Sequence, residues 1–245
     1  MSGLDMKGKV GIVTGGSQGI GRAWVEALAE QGAQVVGVDL AKESAPEAAE
    51  LALKVNVADS ASIDAAFKQV TEKFGRVNFL INNAGIDIET EPSDEWLSAP
   101  FGKTLDVNLA GAFHCMRKAV ALMRKNGGGS IVNIGSVAAI VGTPTRPAYA
   151  ASKHALVGLT RTAAIQFGPD NIRSNIVCPG GTRTPLMEQV MNDNPMLRDH
   201  IAASCPLRRL AEPSEIAQAV LWLASGSSSY VNGAVIPVDG GYTAA

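Results

Sequence analysis

The chain of 245 residues has only three cysteines, and Cys115, Cys178 and Cys205 are spaced too widely for a disulfide framework or a zinc cluster. Its three histidines, His114, His154 and His200, never stand at metal-ligand spacing, so no metal site is expected. Neither sign of charge prevails. The 21 basic and 23 acidic residues leave a formal net charge of -2, which gives no field for nucleic acid or an anionic membrane surface. No apolar run reaches the length of a membrane span, and the opening MSGLDMKGKVGIVTGG has too short an apolar part for a signal peptide. Repeats, low-complexity stretches and Pro/Ser/Gly linkers are missing as well. Together these absences predict one cytoplasmic domain with reduced thiols, whose partner is a small molecule and neither a nucleic acid nor a membrane.

Hydrophobic residues make up 46% of the chain and charged residues 18%, the balance of a protein with a large core. Short β-branched runs alternate with helical patterns: KVGIVT, a helix, AQVVGVD, a short Ala/Glu-rich helical segment, then LALKVNV. The alternation continues through a helix over Ser60 to Phe74, VNFLIN, a long helix near Phe101 to Lys125, and SIVNIGS. A helix from Tyr149 to about Phe167, IRSNIVCP, a helix at Pro213 to Ala224 and AVIPVD complete it. Runs as continuously apolar as VNFLI belong to strands covered on both faces. The pattern predicts an α/β fold of the Rossmann type, a doubly wound parallel sheet in a three-layer α/β/α single domain. The interval from Thr184 to Pro213 is too long for a simple connection and is expected to form a partly helical lid beside the ligand site.

Between the first strand and first helix stands TGGSQGIG, residues 14–21. Glycines there permit a sharp turn, close approach to a pyrophosphate and tight helix packing, while the helix amino end attracts the anion. Gly15, Ser17, Gln18, Gly19, Ile20 and Gly21 are therefore candidate cofactor residues. Asp39 ends the second strand, where a carboxylate accepts hydrogen bonds from an adenosine ribose and repels a 2′-phosphate. With no arginine in the glycine loop, NAD is expected over NADP.

These segments, with NNAG at residues 82–85, DVNLAG around Asn108, NIGS ending at Ser136, YAASK from Tyr149 to Lys153, PGGTRT at residues 179–184 and the terminal VNGAVIPVDGG, resemble the short-chain dehydrogenase/reductase family over nearly the whole chain. The resemblance implies a catalytic tetrad of Asn108, Ser136, Tyr149 and Lys153, and a homotetramer. It adds Asn56, Val57, Asn83, Ala84, Gly85, Pro179, Gly180, Thr182 and Thr184, with Tyr149 and Lys153, to the cofactor contacts. Two positions depart from the family: Asn56 replaces an acid, and Thr182 replaces Ile or Val.

Tyr149 and Lys153 stand four apart on a helix and share a face. A tyrosine with a pKa near 10 is a poor base at neutral pH, and lowering it by about three units takes roughly 4 kcal/mol. A unit charge about 4 Å away at an effective dielectric of about 20 supplies that much, so the ammonium is expected to make the phenol acidic. Ser136 can hold the developing alkoxide. By resemblance, Asn108 disturbs its helix and holds a water that links Lys153 to solvent. His154 falls one residue off this face and is expected to be structural. Arg146 and Arg183 flank the site, either as anion ligands or, more commonly for such residues, as solvated surface groups. Met187, Met191 and Met196 suit an apolar substrate wall.

The reaction expected is hydride transfer between NAD(H) and a secondary alcohol or ketone. Small residues at Ala138, Thr143 and Gly181 leave room for a bulky or cyclic substrate. The alternatives are a 3-ketoacyl carrier-protein reductase or, in another class, a nucleotide sensor or scaffold without chemistry. Apolar and small residues at Ala110, Gly111, Phe113, Ala155 and Leu159 mark helices either wholly buried or shared between subunits.

Overall fold

A strand presents successive side chains to opposite faces of its sheet, and in this chain both sets are apolar. The computed structural model, which describes residues 4–89, 100–184, 187–188 and 203–244, places Ile12, Val36, Leu80 and Ile131 in one buried layer. Their neighbours Val13, Val35, Phe79 and Val132 lie in the other. The strands are β1 (Val10–Thr14), β2 (Gln34–Asp39), β3 (Leu51–Lys54), β4 (Phe79–Asn82), β5 (Gly129–Ile134), β6 (Ile172–Pro179) and β7 (Val235–Val238). They form one sheet in the order β3-β2-β1-β4-β5-β6-β7, and every pairing is parallel. This is the doubly wound Rossmann-type architecture expected.

Helices seal both faces. On one side α1 (Gly19–Glu30) and α6 (Pro213–Ala224) bring Trp24, Leu28, Ile216 and Val220 onto the sheet. On the other, α2 (Ser60–Phe74), α4 (Ala112–Lys125) and α5 (Pro147–Phe167) contribute Ile63, Phe67, Met116, Val120 and Ala163. The bounds of α2 follow from local chemistry: Asp59 accepts a hydrogen bond from the Ala61 amide at its start, and Gly75 adopts a left-handed φ of 70° at its end. No helix among the described residues is long and apolar enough to cross a membrane.

Two elements differ from the sequence pattern. The second helix expected between β2 and β3 is a single 3-10 turn at Lys42–Ser44. Pro46 follows it, and a proline both lacks an amide donor and biases the preceding residue away from helix. The long helix near 101–125 is continuous but not uniform. It runs as α3 (Phe101–Leu105), then a π-helical segment at Asp106–Gly111, then α4.

The centre of the sheet carries a buried polar thread. Asn82 on β4 donates to Asn133 on β5 at 2.8 Å, Asn133 donates to the Thr160 hydroxyl on α5 at 2.9 Å, and that hydroxyl donates to the Leu156 carbonyl. Amides so deep in an apolar layer are costly unless paired, and pairing makes them directional; here only Asn82 Oδ1 in the thread has no partner among the described residues. The thread fixes the rotation of α5 on the sheet, which decides where Tyr149 and Lys153 point.

Candidate active site

In a parallel sheet all carboxyl ends lie along one edge, and ligands settle where the strand order reverses. Here that reversal falls between β1 and β4. The residues after β1 (Gly15 to Gly21), β2 (Asp39), β3 (Asn56, Val57), β4 (Asn83 to Gly85), β5 (Ser136) and β6 (Gly180 to Thr184) therefore share that edge.

The glycine loop is held before any ligand arrives. Asn83 donates through Nδ2 to the carbonyls of Thr14 and Gly15 at 2.9 and 3.0 Å, and the Thr14 hydroxyl accepts from the amides of Asn83 and Ala84. Asp39 accepts from the Ser17 amide at 3.0 Å and from the Ala41 amide at 3.2 Å. Gly15 takes a φ of 65°, and a Cβ on Gly21 would run into the Gly15 carbonyl, so neither position admits a side chain without rearrangement. Ser17 Oγ is buried with no hydrogen-bond partner among the described residues. A donor left free beside a helix amino end, in a loop stripped of side chains, fits a dinucleotide pyrophosphate. Asn56 spends its Oδ1 on the Ala58 amide at 3.1 Å, and Thr184 Oγ1 accepts from the Met187 amide at 3.2 Å.

Beside the β4 loop, Tyr149, Lys153 and Ser136 come together near the end of β5. Tyr149 lies in the first turn of α5 and Lys153 one turn on, with Nζ 5.5 Å from the phenol ring centroid. Lys153 is 5% exposed and donates to the Ile134 carbonyl at the end of β5 at 2.8 Å. Ser136 draws the phenol's value down, and its hydroxyl accepts from the Ala138 amide, so the residue caps its own turn. Asn108 sits inside the π-helical segment, where the resemblance implied a disturbed helix. Its amide side chain accepts from the Ile86 amide at 2.8 Å and donates to the Ile86 carbonyl and to Ser152, whose hydroxyl donates to the Tyr149 carbonyl.

The electrostatics differ from the simple expectation. Burial pushes the Tyr149 phenol above its ordinary value, the Ser136 hydrogen bond opposes this, and Asp87 pushes it further up while Arg146 pulls it down. Burial pulls the Lys153 ammonium down to about 8, against smaller opposing effects of Cys178 and Asp87. The acidified phenol expected from residue spacing is thus not the state of the free chain. Lys153 Nζ lies 5.5 Å from the centre of the phenol ring, and desolvation is the largest effect on the hydroxyl.

Other expectations resolve individually. Arg146 pairs with Asp87 at 2.7 Å and Arg183 with Glu212 at 2.8 Å, so both arginines already have carboxylate partners. His154 contacts the Ala150 carbonyl on an exposed face of α5, in keeping with a structural role. Most of the lid interval, including Met191, Met196 and His200, lies outside the described residues. At its flanks Met187 and Glu188 are helical, and Thr182 bridges to Ala211 beside β6. Sequence reasoning missed Asp87 and Glu89. The Glu89 carboxylate accepts from the Ala148 and Tyr149 amides at 3.1 and 2.8 Å, and nothing near Tyr149 in the sequence announces a partner 60 positions away.

A dinucleotide cradle joined along one sheet edge to a phenol, a hydroxyl and a buried ammonium defines the site of a nicotinamide-dependent oxidoreductase. The chain belongs to the short-chain dehydrogenase/reductase family: a family model described as enoyl-(acyl carrier protein) reductase matches residues 15–243. It is similar to levodione reductase of Leifsonia aquatica, 38% identical over 253 residues that cover 97% of this chain and 95% of the relative. The crystal structure of levodione reductase superposes with a TM-score of 0.91 at 37% identity, covering 98% of this chain and 99% of the other. A 2,5-dichloro-2,5-cyclohexadiene-1,4-diol dehydrogenase of Sphingobium indicum is 39% identical over 248 residues, 98% of this chain and 99% of the relative. A 3-oxoacyl-[acyl-carrier-protein] reductase of Thermotoga maritima is 38% identical over 251 residues, 97% of this chain and 99% of the relative.

The lowered Lys153 value has a stability consequence. A cation whose folded value lies near 8, against an ordinary 10.5, destabilises the fold at neutral pH by roughly 3 kcal/mol. The penalty is complete below pH 8 and vanishes as pH rises from 8 through the unfolded value, because there the unfolded chain binds the extra proton. Lys153→Met should therefore lose turnover yet resist urea better than the wild type at pH 7, by about 2 kcal/mol once the lost Ile134 hydrogen bond is deducted. Urea denaturation at several pH values checks this, and the advantage should shrink toward pH 10.

Proposed function

We propose that the chain interconverts a neutral secondary alcohol and its ketone with NAD(H), Tyr149 exchanging the substrate hydroxyl proton. The convergence of Tyr149, Ser136 and Lys153 at one place carries this assignment. Ser136 holds the substrate oxygen, Lys153 supplies the positive charge beside the phenol, and Asn108 holds the loop at Ile86 against the first turns of α5. A nicotinamide ring bound along the sheet edge supplies or accepts the hydride. In the free chain the phenol keeps its proton, the form that donates to a ketone. Oxidation of an alcohol requires its removal, through Lys153 and the ribose hydroxyls that its compact head can bond.

The substrate class rests on three supports. Arg146 and Arg183 are already ion-paired, which leaves neither as a free anion ligand and favours an uncharged substrate. Ala138, Thr143 and Gly181 are small. One relative is named for its ring diol. The carrier-protein alternative is weaker, because Arg124, a residue that could dock an acidic carrier, is committed to Asp170 at 2.7 Å and stacks over Phe167. Cytoplasmic residence accords with free thiols at Cys115, Cys178 and Cys205.

A homotetramer is proposed from the outer surface of α3, the π-helical segment, the start of α4 and α5. Phe101 and Phe113 are 49% and 47% exposed, and Leu105, Leu109, Ala110, Phe113 and Leu159 line an apolar hollow of about 400 Å³ with Asp106 at its rim. Side chains of this kind are shared between subunits more often than left in water.

Three measurements test the proposal. Cyclic secondary alcohols with NAD⁺, followed at 340 nm, should be turned over by the wild type, and Tyr149→Phe should lose at least about a thousandfold in kcat while still binding NADH; activity retained in that variant, or none with any alcohol or ketone, contradicts the assignment. Asp39→Ser should raise use of NADPH relative to NADH roughly tenfold or more, and an unchanged ratio would reject the role given to Asp39. Sedimentation should show a species of four chain masses, and a single species at 25.4 kDa would exclude the tetramer.

A further inference from the structure

The first turn of a helix has amide donors with no partner inside the helix. In α5 the deficit falls where it matters most, because Tyr149 is the third residue of that turn. Pro147 has no amide hydrogen, and the helical ladder starts at Ala150, whose amide donates to the Arg146 carbonyl at 2.9 Å. Two donors remain, the amides of Ala148 and Tyr149. Arg146 at the cap position offers no side-chain acceptor, and the first turn contains no acid. Both amides go to one carboxylate, that of Glu89: Oε1 accepts from Ala148 at 3.1 Å and Oε2 from Tyr149 at 2.8 Å.

Glu89 is itself held in place. It lies three residues beyond Ile86, whose amide and carbonyl are both engaged by Asn108. Between them Asp87 pairs with Arg146 at 2.7 Å. Thr145, just before, has a left-handed φ of 65°, disfavoured for a β-branched residue and maintained only where its surroundings enforce it. The segment 86–89 therefore grips the entrance of α5 at two points, one ionic and one on the helix end, with Asn108 as its other anchor.

We infer that Glu89 is a positioning residue for the Tyr149 phenol: its carboxylate closes the amino end of α5 from outside the helix and fixes the turn that carries the phenol. This rests on the reaction proposed above and deepens it. Lys153, a turn further on, is held independently by the Ile134 carbonyl. Loss of Glu89 frays the phenol away from Ser136 and Lys153 while leaving the ammonium and the glycine loop where they are.

Turnover of a cyclic secondary alcohol by the wild type tests the reaction alone, and without it the proposed function fails whatever Glu89 does. Given an active wild type, Glu89→Ala should lower kcat roughly 10- to 100-fold with KM for NAD⁺ unchanged. Glu89→Gln keeps one acceptor oxygen and should recover most of the loss. The pH profile separates position from charge. Asp87, Arg146 and Cys178 act on the phenol electrostatically and Lys153 lies over its ring, and all four are untouched in these variants. A phenol that leaves the Ser136 hydrogen bond moves the alkaline midpoint of alcohol oxidation up, whereas removal of a negative charge alone would move it down. Wild-type kcat in Glu89→Ala, a downward midpoint, or Glu89→Gln as impaired as Glu89→Ala would each overturn the inference. Should Glu89→Ala not fold, amide hydrogen exchange in the wild type decides. Protected amides at both Ala148 and Tyr149 support the clamp, and exchange at both as fast as in an unstructured chain overturns it.

Discussion

The structure depends on an ammonium group kept out of water. Lys153 lies almost wholly buried, satisfied by one backbone carbonyl and an aromatic face, with no carboxylate within ion-pair distance among the described residues. A cation so placed is expensive. It persists because β5 ends with its last carbonyl aimed at the amine, and because α5 is locked in rotation by the amide thread from Asn82 through Asn133 to Thr160. Burial brings this amine down to about 8, where an ordinary surface lysine stays charged.

The remainder of the edge is arranged around that group. The switch between β1 and β4 opens the crevice, and Asn83 with Thr14 preforms the glycine loop, so a dinucleotide meets a cradle already shaped. The π-helical segment re-aims Asn108 toward Ile86 and Ser152, an instance of an irregular helix turn found at a functional position. Arg146 is paired with Asp87 and Arg183 with Glu212. Such pairs contribute little to stability when exposed, but they leave no uncommitted guanidinium at either position.

Much of this was legible in the chain because it is written in local pattern. Continuous apolar strands announced a covered parallel sheet, and the glycines, Asp39, Ser136, Tyr149 and Lys153 stand at strand ends or on one helix face where spacing alone brings them together. What was not legible depends on distance in sequence or on solvent. The Ala/Glu-rich segment after β2 looked helical, but Pro46 limits it to one 3-10 turn. Glu89 reaches across 60 positions to cap α5, and a cap supplied from elsewhere leaves no signature beside the helix. Spacing placed an ammonium near the phenol but said nothing of how deeply both would be desolvated, so the expected direction of the phenol shift was reversed in the free chain.

The central claim is that burial, unopposed by a carboxylate in contact, brings the Lys153 amine into the neutral range. Titration of the isotopically labelled Lys153 side chain by NMR in the free protein measures it directly. A midpoint near pH 8 is the result predicted. A midpoint near the ordinary lysine value of about 10.5 would show a solvated or ion-paired amine and contradict the account.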